Sequence, residues 1–167
     1  MTEPEVHELV RPLAFLLGTW RGEGVGEYPT IEDFAYGEEV RFWHVGKPML
    51  AYSQRTWAPD DNRPLHAEMG YWRPLGDGRL ELVIAHPTGI IEIETGTIED
   101  TTISLTTTSI VGAPSAKEVT ALTRTFVVAG DELRYEVEMA AVGVSLTHHL
   151  AATLLRVRGH GGGRKSR

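Results

Sequence analysis

Residues 18–30 read GTWRGEGVGEYPT, and the way their side chains divide decides the fold. In an extended chain successive side chains point to opposite faces. Gly18, Trp20, Gly22, Gly24, Gly26 and Tyr28 then share one face, and Thr19, Arg21, Glu23, Val25 and Glu27 share the other. Glycine weakens a strand interior and marks a bend, a bulge or the close approach of another group. Four glycines beside an indole and a phenol predict a strand that lines a hollow.

Before this stretch, Val6, Leu9, Val10, Leu13, Leu16 and Leu17 recur at helical spacing, with Pro4 and Glu5 where a first turn tolerates them. Pro12 predicts a short or kinked helix that ends near it. After it, extended runs over residues 36–45, 49–57, 65–73, 79–86, 90–97, 102–110, 117–128, 132–140 and 146–157 are separated by turn signals such as Gly76-Asp77-Gly78 and Pro87-Thr88-Gly89. The loops are too short for parallel crossovers, so the sheet is antiparallel. Leu80, Leu82 and Ile84 alternate with Glu81, Val83 and Ala85, and Ile91 and Ile93 with Glu92 and Glu94, as in a sheet with one wet face. About ten such strands in one domain must hide their edges. The predicted fold is all-β: a ten-stranded antiparallel up-and-down β-barrel of the lipocalin and fatty-acid-binding type with a short N-terminal helix. A two-sheet sandwich is its rival. A barrel of this size can enclose a ligand.

The chain has 167 residues, the size of one domain, and no cysteine, which excludes disulfides, thiolate metal sites and cysteine nucleophiles. Its start lacks a basic region ahead of the apolar run and a small-residue cleavage site, and no apolar stretch approaches the ~20 residues of a membrane helix. A cytoplasmic protein without membrane contact is expected. The net charge of -7 argues against nucleic-acid binding. Residues 158–167 read RGHGGGRKSR and predict a disordered basic tail on a barrel domain of residues 1–157. Without the tail's four cationic residues, 12 basic residues face 23 acidic ones, a body charge of -11.

The seven histidines are the candidate ligands. His7 and His160 lie in terminal segments, His44 ends a strand, and His86 precedes Pro87 at a turn. His148 and His149 are adjacent on a strand and point to opposite faces, which argues against a shared zinc. On the His149 face the neighbours are Thr147, Ala151, Thr153 and Leu155, mostly small, which leaves room for a planar group; a hydrogen-bonded structural histidine is the alternative. No serine sits in a GxSxG context, no carboxylate pair stands out for acid–base chemistry, and the glycine stretch lacks GxxxxGK[ST] and a following helix.

The motif GxWxGxG at Gly18, Trp20, Gly22 and Gly24, continuing to Ile31, resembles the nitrobindin family of haem-binding barrels. The blocks EEVRFWHVGKP (38–48), LHAEMGYWRP (65–74), AKEVTALTR (116–124) and LTHHLAATL (146–154) extend the likeness over nearly the whole chain. The resemblance implies a ten-stranded barrel holding one ferric haem b per chain without covalent attachment, and peroxynitrite isomerase activity, described for bacterial members. It identifies His149 as the proximal ligand of the iron and hence the catalytic histidine, with Thr30 and Lys117 as haem contacts and His66 near the other haem face. Nitric oxide binding at the same iron is the companion activity. A nitric oxide sensor or carrier without turnover, and a barrel for lipids or other apolar ligands, are the competing readings; a monomer or homodimer is expected.

Overall fold

Pairing of the first strand with the last closes the sheet. The computed structural model describes residues 2–159. Its strands are β1 (Gly18–Tyr28), β2 (Ile31–Trp43), β3 (Leu50–Trp57), β4 (Pro64–Gly76), β5 (Arg79–His86), β6 (Ile90–Glu99), β7 (Thr102–Gly112), β8 (Val119–Ala129), β9 (Glu132–Ala141) and β10 (Val144–Arg156). Each pairs antiparallel with its neighbours in sequence, and β1 pairs with β10, so the ten form a closed barrel rather than a sandwich. No helix among the described residues is long and apolar enough to cross a membrane. The expected tail lies outside the described residues from 160 onward; Arg158, at its start, donates to Asp131 Oδ2 at 2.8 Å.

Three expectations change, the third of them in β6. The N-terminal helix (Glu8–Leu16) is a 3₁₀ helix that continues through Pro12. Proline disfavours an α-helical course, where its ring meets the carbonyl four residues back. Bonds spanning three residues, such as Val10 N to His7 O at 2.9 Å, take over. The second change concerns the hollow along β1. Gly24 lies opposite Tyr36 and Gly26 opposite Phe34. A Cβ on Gly24 would fall 2.3 Å from Tyr36 Cζ, and one on Gly26 2.2 Å from Phe34 Cζ. Rings from β2 thus fill the space the glycines leave, an arrangement known to rescue glycine in sheets. At Gly22 the intruder is backbone: a Cβ would stand 2.1 Å from Thr153 O on β10.

The helix closes one end of the barrel. Val10, Leu13 and Leu16 are fully buried, and the Trp20 indole donates to Leu16 O at 2.8 Å. Arg156, at the end of β10, lies over the Trp20 ring with its guanidinium carbon 4.1 Å from the centroid, and donates to the carbonyls of Phe15 and Leu17. Beneath this plug Phe42, Trp72 and Phe126 pack edge to face, with centroids 5.1 to 5.2 Å apart. Each such buried ring contributes ~1.5–3 kcal/mol by leaving water.

Toward the other end the interior turns polar. Glu38 is buried and accepts from Tyr135 Oη at 2.6 Å and from Gln54 Nε2 at 3.0 Å; Tyr135 in turn meets Tyr36 Oη at 2.8 Å. Burial pushes the Glu38 carboxyl up to about 7 from 4.5, against these two donors. The alternation of β6 is the reverse of the wet-face reading: Glu92 and Glu94 are fully buried, while Ile91 and Ile93 are 51% and 38% exposed.

Two measurements check this account. Gly22→Ala forces β1 away from β10, and is expected to cost about 2 kcal/mol or more, lowering the thermal midpoint by roughly 4–8 °C; an unchanged midpoint would show that the seam is not tight. Between pH 4.5 and about 7 folded Glu38 keeps a proton that the unfolded chain has lost. Its contribution is therefore complete below pH 4.5 and disappears as pH rises through 7, to a maximum of ~3 kcal/mol. Urea unfolding at several pH values should show wild type losing stability relative to Glu38→Gln across that window, and parallel profiles would contradict it.

Candidate haem-binding site

The strand directions bring one set of turns to the open end: β1–β2, β3–β4, β5–β6, β7–β8 and β9–β10. His149 near the start of β10, Thr30 in the β1–β2 turn and Lys117 in the β7–β8 loop all belong to that end, as do His66 and His86. A cavity of about 500 Å³ opens here, lined by His149, His66 and His86 and by apolar groups that include Leu65, Ile90 and Leu150. Thr30 and Lys117 are exposed on the rim and do not line it, nor do the glycines of the GxWxGxG motif.

His149 reaches the cavity through an irregularity. The β10–β9 register shifts between His148 and Leu150, which pair with the consecutive residues Glu138 and Val137. Such a bulge re-aims side chains. Below it Ala152 and Leu154 face inward, and Leu155 is exposed. The neighbours expected on the His149 face, Ala151, Thr153 and Leu155, therefore lie on the other side, and Leu150 joins His149 in the cavity lining. A strict period of two cannot show this, because one extra residue inverts every assignment after it.

Two contacts orient the imidazole. Nδ1 lies 3.0 Å from Glu27 O, on the β1 strand next door. A carbonyl only accepts, so Nδ1 carries the proton and Nε2 keeps its lone pair. The Tyr28 ring stands edge-on to the imidazole, with centroids 5.3 Å apart, and its hydroxyl accepts from Ala141 N at 2.9 Å. Burial lowers the His149 pKa, so the ring is neutral at neutral pH, outweighing the bond to Glu27 that favours its charged form. His148 sits 3.8 Å from the Glu27 carboxylate.

Opposite His149, β4, β5, β6 and β8 supply a buried ionic wall. Arg124 on β8 bonds Glu68 Oε1 at 3.3 Å, Glu94 Oε1 at 3.1 Å and Glu92 Oε1. Burial pushes the Glu68 carboxyl up, but Arg124 and the neighbouring His66, His86 and Tyr52 hold it well below the usual carboxylate range. Glu92 is also lowered, Arg124 overcoming burial, whereas burial takes Glu94 up to about 7 in spite of the guanidinium. His86, expected at an exposed or structural turn, lies in this wall: its Nδ1 is 3.1 Å from His66 Nε2.

The sequence reading missed these groups, although a signal was present. His86 pairs with Ile90 across Pro87-Thr88-Gly89, so Glu92 lies opposite Ile84 and Glu94 opposite Leu82. Residues directly opposite share a face, and Ile84 and Leu82 are core. Counting outward from the turn would have placed both glutamates inside.

The site fits haem. It offers an apolar-lined cavity of ligand size, and one neutral imidazole with its proton fixed away from a free Nε2. Residues 9–156 match the family described as "THAP4-like, heme-binding beta-barrel domain". A relative named peroxynitrite isomerase 1, from Mycolicibacterium paratuberculosis, is 57% identical over 92% of this chain and 98% of its own. One from Arabidopsis thaliana, named peroxynitrite isomerase Rv2717c, is 46% identical over 90% of each. The crystal structure of Rv2717c from M. tuberculosis superposes with a TM-score of 0.87 at 50% identity, over 92% of this chain and all of that one. The nitrobindin resemblance read from the motifs and the barrel geometry agree with these matches: the chain belongs to the THAP4-like haem-binding β-barrel family.

Proposed function

We propose that this protein isomerises peroxynitrite to nitrate in the cytoplasm, at one ferric haem b per chain held by His149, and that the same iron binds nitric oxide. The observation that carries the reading is the His149 imidazole, presented to the cavity with Nδ1 engaged by Glu27 O and Nε2 unengaged. Bound haem would supply a ferric iron as Lewis acid for the anion, and rearrangement of peroxynitrite to nitrate balances in atoms and charge without a reductant.

The chain's own residues supply the rest. Glu27 O fixes the tautomer and plane of His149, and the Tyr28 ring bears on its edge. Leu65, Ile90 and Leu150 give the space in front of it apolar walls, and a walled space keeps fragments of a small substrate together long enough to recombine. Lys117 and Thr30, on turns at the same end, are suited to the haem's polar edge, a carboxylate partner and a hydrogen-bond partner respectively. Arg63 also lines the cavity, with its guanidinium paired to Asp61 Oδ2 at 2.9 Å, so the pair adds little charge against a body charge that repels anions.

Haem titration of the purified protein is expected to give a Soret band saturating at one equivalent, and His149→Ala to weaken binding by roughly 100-fold or more. Stopped-flow mixing with peroxynitrite should show decay faster than buffer with a raised nitrate yield. Unaltered decay with a haem-loaded protein that still binds nitric oxide would leave a sensor, not an isomerase.

A further inference from the structure

Across the barrel from His149, three potential metal ligands meet on β4 and β5. His66 Nε2 and His86 Nδ1 are 3.1 Å apart, His86 Nδ1 and Glu68 Oε2 are 3.4 Å apart, and His66 Nε2 and Glu68 Oε2 are 3.7 Å apart. Donor atoms around one first-row divalent ion, each ~2.0–2.2 Å from it, stand about 3.0–3.5 Å from one another. The triangle already has nearly that size.

The surroundings complete the case. Glu68 Oε1 is committed to Tyr52 Oη at 2.7 Å and to Arg124, which leaves Oε2 aimed at the histidines. The His86 side chain is 10% exposed, and its Nε2 has no hydrogen-bond partner; Glu92 Oε2, fully buried and also unpartnered, lies 3.5 Å from it. A carboxylate behind the second nitrogen of a ligating histidine fixes its tautomer and raises its basicity. Glu68 and Glu92, both held in their charged forms, share the one guanidinium of Arg124 with Glu94.

We propose that His66, Glu68 and His86 form a binding site for a divalent transition metal, separate from the haem iron, with Glu92 as the positioning residue behind His86. Two imidazoles and one carboxylate on one side of the ion leave its remaining positions open toward the cavity, the arrangement of non-haem iron(II) and of zinc sites that admit an exogenous ligand. To present lone pairs at both His66 Nε2 and His86 Nδ1, the hydrogen now between them moves to the other ring nitrogen of the histidine that carries it, and both rings stay neutral.

The test uses full-length protein cleared of metal with a chelator, titrated with cobalt(II) and followed by its visible d–d bands, and dialysed against zinc with and without haem. One equivalent per chain is expected to bind. His66→Ala, at a half-exposed position that a barrel tolerates, is expected to weaken binding by roughly 100-fold or more, and Glu92→Gln by roughly 10–100-fold. His149→Ala and His148→Ala should leave the cobalt bands unchanged. Absence of uptake in both the haem-free and haem-loaded forms, or uptake indifferent to His66→Ala while the far-ultraviolet spectrum is native, overturns the site. A lost Soret band bears only on the haem reading, because the cobalt bands are read without haem.

Discussion

One buried cation governs the interior. Arg124 lies at the meeting point of Glu68 from β4 and Glu92 and Glu94 from β6, strands that are not its own neighbours in β4's case and lie beyond β7 in the case of β6. Removing one partner of a buried pair costs about 3–5 kcal/mol, because the other charge is stranded. The contact therefore fixes the register of three strands together: a slip of one residue in β6 would expose both glutamates, bury Ile91 and Ile93, and leave the guanidinium without partners. The apolar plug at the far end can make no such demand, since hydrophobic contact is not directional.

Two interiors thus coexist in one barrel. Around Trp20, Trp72 and Phe126 the packing is aromatic and closed, and it anchors the N-terminal 3₁₀ helix and the end of β10 through Arg156. Around Glu38, Glu68 and Arg124 it is charged and adjoins the cavity. The division places low-dielectric rigidity at one end and groups able to hold or release protons at the other, beside the cavity.

Much of this was legible in the sequence. The glycine motif, the turn spacing and the lack of long helical patterns led to ten antiparallel strands and a closed barrel. The resemblance led to His149, which the structure brings to the cavity. What escaped were features set by register. Gly24 and Gly26 suggested empty space because the rings that cover them, Tyr36 and Phe34, come from the facing strand. The bulge at His148 and Leu150 leaves no mark in a binary pattern. The buried glutamates of β6 looked solvated because alternation shows that two faces differ, not which one is inside, and an apolar residue outside a barrel is an ordinary occurrence.

The β1–β10 seam has a consequence for how the molecule is made. Consecutive hairpins can form as the chain emerges, but β1 meets its second partner only when residues 150–156 exist. Until residues 150–156 have been made, then, β1 is an open edge, the kind of surface that recruits other chains. Its composition suits the wait: Arg21, Glu23 and Glu27 charge one face, and glycines thin the other. Gly22, which lets Thr153 O approach at the end, also makes the strand a poor template beforehand, so the residue that closes the finished barrel guards the unfinished one as well.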